Sequence, residues 1–317
     1  MAPTELDHVS LGFDSTTNDP PPRVSVVIAS FQRAALLRRC LAALPDAVRA
    51  PYEIVVVDGG SSDETHQQVR AHPHLRLFVE RRRAGCCRAY DAAFRCARGE
   101  SIVWLNDDAV PHRGAIDAAL RVLDDPANVD AGMVALYHSH QDAWNELHGY
   151  DAPPPTASGA PRSARVRYGV LHVRGFAYAN FGLLRRRTLE AVGFLDTSYY
   201  YCGWDPDLAL KIQRELGLRV LAAPAARVWH EEHVDERKAA DARGTRLRDN
   251  QRLFEKWQLP PKGRFADPRP AYEALLRARG LLEPDVSPTT HAGQARDRST
   301  ERGEGAAREP VGPRVLR

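Results

Sequence analysis

The chain has 317 residues, 43% of them hydrophobic, and a formal net charge of +3 at pH 7. That length allows one large α/β domain or two small ones around a sizeable core, and the charge is too small to argue for nucleic acid as a partner. The basic residues are almost all Arg, with Lys only at 211, 238, 256 and 262, which reads as base composition rather than a phosphate-binding surface. Five cysteines (Cys40, Cys86, Cys87, Cys96 and Cys202) show no C-x-x-C and no metal-ligand spacing, so reduced thiols are expected. The N-terminal residues carry no apolar core flanked by positive charge, and no stretch approaches about 18 uninterrupted apolar residues. A cytoplasmic location is expected, with peripheral membrane contact left open.

Residues 1–22 end in Asp-Pro-Pro-Pro and read as a flexible leader. Arg23 to Ser30 is a short, continuous, β-branched run, the pattern of a strand buried on both faces. RAALLRRCLAAL follows, with Leu37, Cys40, Leu41 and Leu44 on one helical face. The unit then repeats. YEIVVV (52–57) is a strand before a Ser/Asp-capped helix. LRLFVE (75–80) precedes a helix that Gly99 ends, and SIVWL (101–105) is a fourth strand. Strands alternating with helices imply a parallel sheet with right-handed crossovers.

The second half has a different texture. Residues 132–139 and 166–175 read as strands of mixed orientation around a Pro/Ala/Ser loop at 150–164. AYANFGLLRRRTLEAVG reads as strand then helix, and DPDLALKIQRELG (205–217) as an amphipathic helix. LRVLAAP and ARVWH read as two short strands, with helices over 234–257 and 270–281. From about residue 284 the composition turns to Pro, Gly, Arg, Ser and Glu, as in a disordered tail.

Polar residues recur where these strands end. Asp58 follows IVVV, Asp107 and Asp108 follow IVWLN, Asp205 and Asp207 follow YYCGW, and His230 follows ARVW. In an open parallel sheet ligands bind beyond the carboxyl ends of the strands. Carboxylates repeated there suggest a metal ion and a phosphorylated substrate. Each has a plainer reading: Asp58 as a turn cap, Asn106-Asp107-Asp108 as a β-turn, His230 as a structural histidine. WHEEH is no zinc-protease motif, because its histidines are three apart rather than four. His138 and His140 form H-x-H with nothing else to support a zinc site. A dinucleotide-binding dehydrogenase lacks its G-x-G-x-x-G, and a nucleotidyltransferase lacks its Gly-rich loop after the first strand.

Five segments occur in fixed order: VSVVIASFQRAALLRRCLAAL, EIVVVDGGSSDET, RAGCCRAYDAAFRCARGESIVWLNDDAVP, FGLLRRRTLEAVGFLDTSYYYCGWDPDLALKI and LAAPAARVWHEEH. Together, over about residues 23–235, they resemble a family 2 glycosyltransferase of GT-A fold, close to the rhamnosyltransferase-like branch. The resemblance implies a Rossmann-like, mostly parallel sheet flanked by helices, with a mixed acceptor-side extension. It places a nucleotide-sugar half at 23–130, an acceptor half at 131–260 and a helical extension at 261–283.

Carried over, Ser30 and Phe31 border the nucleotide base and Asp58 accepts its N–H donors. Gly85 permits close backbone approach, and Arg83 either reaches a phosphate or covers the surface. Asp108 becomes a direct metal ligand, completed by His230, with Mn²⁺ or Mg²⁺ as the cation. Asp107 then contacts the donor ribose or sugar. Asp205 becomes the general base, Asp207 an acceptor-side group at the helix start, and Trp204 either a sugar platform or core packing. The chain departs from the family pattern at Ala29-Ser30-Phe31-Gln32, Gly59, Arg83 and Trp204, which leaves the base open. The implied activity is metal-dependent, inverting transfer from a UDP-, dTDP- or GDP-linked sugar to a hydroxyl of a sugar, lipid-linked or small-molecule acceptor. A sugar-nucleotide-binding protein without transferase activity is the alternative. Trp144, His148, Tyr168 and Phe176 are acceptor-side candidates equally well explained as packing.

Overall fold

The computed structural model describes residues 6–16, 20–138, 169–230, 236–261 and 264–282, which belong to one compact unit. The strands are β1 (Val9–Asp14), β2 (Val24–Ser30), β3 (Tyr52–Asp58), β4 (Leu75–Glu80), β5 (Ser101–Asn106), β6 (Ala109–Pro111), β7 (Ala131–His138), β8 (Leu171–Val173), β9 (Phe176–Tyr178), β10 (Gly182–Arg185) and β11 (Arg219–His230). The helices are α1 (Ala34–Ala47), α2 (Thr65–Arg70), α3 (Cys86–Cys96), α4 (Ala115–Asp124), α5 (Arg186–Ala191), α6 (Trp204–Glu215), α7 (Glu236–Trp257) and α8 (Arg269–Ala278).

Among the described residues, nine strands form one sheet in the order β1-β4-β3-β2-β5-β10-β7-β11-β6, and β8 pairs with β9 apart from it. β4, β3, β2 and β5 are parallel, as are β7 and β11, while β10 runs antiparallel between β5 and β7. Val26, Val27, Ile28, Val55 and Val56 are wholly buried, which is why these strands read as unbroken apolar runs. The amphipathic face of α1 buries Leu37, Cys40, Leu41 and Leu44.

Three expectations change. Residues 9–14, expected within a flexible leader, form edge strand β1, paired antiparallel with β4. The two short strands at 218–230 are one strand, β11, whose register with β7 shifts between Ala223 and Arg227. Pro224 lies in that shift, where a residue without an N–H is tolerated. β6 was not expected at all.

The amino edge of the sheet is closed by a buried ion pair. Glu53 accepts from Arg76 Nε at 3.0 Å and Nη2 at 2.7 Å, from Ser25 Oγ at 2.6 Å, and from the Arg98 amide at 2.5 Å. The carboxyl edge is open to chemistry. Ser30 pairs in register with Asp58, and Ala29 with Asn106, so the polar ends of β2, β3 and β5 stand in one row. His230, the last residue of β11, pairs with Ala109 of β6 and so reaches the same row from the other side.

Candidate active site

The densest charge lies just past β5. Asp107 and Asp108 are both buried, and one nitrogen of Arg33, Nη1, lies 3.0 Å from Asp107 Oδ1 and 2.9 Å from Asp108 Oδ2. Ser30 Oγ donates to Asp107 Oδ2 at 2.9 Å, and His230 Nε2 lies 3.1 Å from Asp108 Oδ1 and 3.4 Å from Asn106 Nδ2. Burial pushes the Asp107 carboxyl up to about 6, against the pull of Arg33 and with help from neighbouring Asp108. The sequence-derived residues Ser30, Asp107, Asp108 and His230 therefore form one cluster. Arg33 was not among them, although its place three residues past the end of β2 put it at the carboxyl edge.

Asp58 has other work in this structure. Its carboxylate is wholly buried and accepts from the amides of Gly60 at 3.1 Å and Ser61 at 2.8 Å, from Ser61 Oγ, and from His66 Nε2 at 2.9 Å. It closes the loop after β3, the turn-cap reading. Ser61 Oγ in turn accepts from the Gln32 amide at 2.7 Å, and the Gly59 amide donates to Ser30 O at 2.9 Å. Gln32 is held at φ 55°, a left-handed conformation that Asn tolerates better. The Arg83 guanidinium lies 4.6 Å from the Phe31 ring centroid, and a Cβ on Gly59 would come within 3.2 Å of that ring. Ser30, Phe31, Asp58 and Arg83 thus build one surface beside the aspartate pair.

Asp205 stands at the start of α6, half-buried, with no side-chain hydrogen bond or ion pair among the described residues. Burial without a cation partner pushes its carboxyl up to about 7. Its neighbours are tied to the rest of the site by named contacts. Trp204 stacks on Tyr90 at 4.8 Å, and Tyr90 Oη donates within 2.9 Å of Leu105 O and Asn106 Oδ1. The same two rings therefore link the Asp205 turn to the end of β5, just ahead of the aspartate pair. Arg33 also acts electrostatically on the Tyr201 phenol, which burial raises.

The loop ahead of Asp205 is fixed from two sides. Gly85 has φ 98°, and a Cβ there would lie 2.6 Å from Tyr200 O, so only glycine fits between β4 and that loop. Cys86 Sγ donates to Tyr201 O at 2.9 Å. From α7, the buried Asp249 carboxylate accepts the amides of Tyr200 at 3.3 Å, Tyr201 at 2.8 Å and Cys202 at 3.0 Å. No sequence signal singled out Asp249, one of four acids in a charged helix.

Two acceptor-side expectations are corrected. Trp204 is only 6% exposed and is packed by Tyr90, Phe94 and Trp104, so it is core rather than a sugar platform. Asp207 is buried and accepts from Tyr199 Oη at 3.1 Å, Trp257 Nε1 at 2.7 Å and Lys256 Nζ, which locks α6 to the end of α7 instead of facing an acceptor. Phe176 is half-buried under Arg214, and Trp144, His148, Tyr168 and His140 lie outside the described residues. His138 packs its ring against His230 and Phe181 at 5.9 and 5.3 Å.

Among the described residues, no set of three His, Cys, Asp or Glu side chains is placed to enclose a metal ion. The donor chemistry nevertheless fits a divalent cation of the kind that takes one or two protein ligands and completes its shell with phosphate and water. The guanidinium nitrogen between the two carboxylates shows that the spot already favours positive charge.

Residues 25–192 match the family described as glycosyl transferase family 2. The chain belongs to that family. Among curated relatives, the chain is 30% identical over 98 residues to the glycosyltransferase AglE of Haloferax volcanii, covering 29% of this chain and 32% of that protein. An uncharacterized protein of Mycobacterium tuberculosis is 28% identical over 136 residues, or 42% of this chain and 43% of that one. The matches thus span less than half the length of these relatives. A solved mannosyltransferase, PcManGT from Pyrobaculum calidifontis in complex with GDP-Man and Mn²⁺, aligns at a TM-score of 0.55 and 26% identity, covering 81% of this family 2 chain and 69% of the other. The architecture is of GT-A type, as the resemblance implied. No helix of the described residues is long and apolar enough to cross a membrane.

Proposed function

We propose that the chain moves a sugar from a nucleoside diphosphate sugar to an acceptor hydroxyl, with inversion at the anomeric carbon and Asp205 as general base. The observation that carries this is a contrast: a carboxylate pair past β5 that attracts a cation, and a separate carboxylate, Asp205 at the start of α6, left without one. Asp205 accepts the proton of the acceptor hydroxyl as its oxygen bonds to the anomeric carbon. The bond from that carbon to the diphosphate breaks, and its electron pair leaves on the diphosphate oxygen. A base is most effective with proton affinity near the working pH, and a group raised to about 7 meets that condition.

When bound, a divalent cation (Mn²⁺ or Mg²⁺) held by Asp108 and His230 would neutralise the charge that develops on the leaving diphosphate. Asp107, fixed by Ser30, faces the donor ribose or sugar. The loops of Phe31, Asp58 and Arg83 receive the nucleotide, with Asp58 shaping its loop rather than reading the base. The halves at 23–130 and 131–260 are assigned to donor and acceptor. GDP-mannose heads the donor candidates on the strength of the PcManGT likeness, followed by UDP- and dTDP-sugars. The rhamnosyltransferase-like placement within the family rests on the five ordered segments alone.

The test is a thermal-shift screen of nucleotide sugars with Mn²⁺, because a ligand that binds the folded state raises its apparent stability by mass action. Hits are then followed for donor hydrolysis and transfer, with and without chelator. Stabilisation by at least one donor, with turnover lost on chelation, is expected. No stabilisation by any nucleotide sugar would overturn the reading, and binding without hydrolysis or transfer would leave a binding protein instead.

A further inference from the structure

We infer that Arg33 is a resident counter-cation that occupies the seat of the divalent metal, so that the metal enters only together with a diphosphate that draws the guanidinium away. This rests on the metal reading above and deepens it. The geometry is direct. A single nitrogen, Arg33 Nη1, lies 2.9 Å from Oδ2 of Asp108, the carboxylate assigned to the cation, and 3.0 Å from Oδ1 of neighbouring Asp107, so a positive charge already sits where the metal would. The Arg33 side chain is 11% exposed, and those of Asp107 and Asp108 are 7% and 2% exposed, so the contact is shielded from water and salt.

The guanidinium does not lose its charge in any accessible pH range, so deprotonation of Arg33 cannot vacate the seat. Two carboxylates and one guanidinium leave a single negative charge. Adding a dication without moving Arg33 would invert the local charge and set two cations side by side in a buried pocket, which is costly. A nucleoside diphosphate changes the balance. Its oxygens accept the forked donors of Arg33 and also ligate the metal, so both cations find partners at once. Arg33 stands at the start of α1, directly after the β2 loop that the nucleotide is proposed to meet, so a short swing of its side chain suffices.

The prediction concerns metal uptake, not turnover. Mn²⁺ binding is read from the loss of the free-ion paramagnetic resonance signal, with Mn²⁺ alone and with saturating GDP or UDP. Wild type is expected to bind Mn²⁺ weakly alone. Arg33→Met, which keeps the unbranched apolar stem but removes the charge, is expected to bind Mn²⁺ alone at least tenfold more tightly. Arg33→Gln, smaller and neutral, should behave as Arg33→Met does and guards against misfolding of either variant; Arg33→Lys should stay near wild type. Added Mn²⁺ should also raise the melting temperature of the neutral variants more than that of wild type.

Equal or weaker Mn²⁺ binding by both neutral variants would overturn the inference while leaving the metal site standing. Failure of wild type and variants alike to take up Mn²⁺, even with GDP or UDP present, would remove the metal reading and this inference with it.

Discussion

Asp205→Asn should separate the catalytic and structural consequences of one buried carboxylate. The group ionises at an ordinary 3.8 when solvated and at about 7 in the fold. Between those values the unfolded chain has lost the proton and the native chain still holds it. Native stability therefore falls as pH rises from about 3.8 to about 7, then levels off. Three decades of proton affinity correspond to a ceiling of about 4 kcal/mol. Water at the open side of the half-buried group reduces this to about 1–2 kcal/mol. Asparagine carries no charge to bury, so the variant should melt about 3–6 °C higher than wild type at pH 8. That gain should shrink steadily toward pH 4. Turnover should fall about 100- to 10,000-fold with donor affinity spared, since only proton transfer is lost. Wild-type kcat should itself rise with pH through about 7. Paired melting curves and initial rates from pH 4 to 9 decide the matter. Undiminished turnover in the variant would remove Asp205 from the base role. A stability difference that is flat with pH, or that grows toward acid, would refute the raised proton affinity on which the argument stands.

Three further substitutions test the scaffold. Asp249→Ala frees three backbone amides of the 200–202 loop and should cost about 2–4 kcal/mol in urea unfolding, with kcat reduced more than donor affinity; a purely local role would leave kcat untouched. Gly85→Ala forces a Cβ to 2.6 Å from Tyr200 O at φ 98° and should cost about 2–4 kcal/mol and lower kcat, whereas unchanged stability would show that the Tyr200 loop gives way freely. Arg76→Met leaves Glu53 charged and buried at the amino edge and should cost about 3–5 kcal/mol without changing nucleotide-sugar affinity in the folded protein, and a loss of affinity would mean that the two sheet edges are coupled.

The parallel half of the fold was legible because burial on both faces leaves an unmistakable trace. VSVVIAS, YEIVVV and SIVWL each run apolar until the chain meets the carboxyl edge, and there the residue turns polar: Ser30, Asp58, Asn106. Knowing where each strand ends is nearly the same as knowing which side chains share an edge. Hence the strand ends alone group Ser30, Asp107, Asp108 and His230 at one edge. β1 left no such trace, because an edge strand held by backbone bonds to β4 buries only Val9 fully among its residues. β11 looked like two strands because Pro224 interrupts it, and the bulge that absorbs the interruption is a property of its pairing with β7. Asp249 was invisible for a similar reason. Its partners are amides 47 to 49 positions away, and nothing in the local pattern of α7 marks it.

The surroundings of Trp204 and Asp207 show what spacing alone leaves undetermined. Asp205 and Asp207 lie in the same first turn of α6 and are chemically identical. Partners separate them. Asp207 meets Lys256, Trp257 and Tyr199, and its charge is compensated and fixed. Asp205 meets thiols rather than cations, since Cys86 and Cys202 are the groups whose ionisation it opposes. One carboxylate is thereby committed to holding two helices together, and the other is left with a proton affinity near neutrality. Environments that push paired acids toward different duties are the physical basis of acid–base assignment in enzymes. Here the decisive partners, Lys256 and Trp257, arrive from the far end of α7, so the division of labour belongs to the tertiary structure. The same helix supplies Asp249 to hold the loop ahead of Asp205. A single element thus fixes the loop ahead of Asp205 and spends its cation on Asp207.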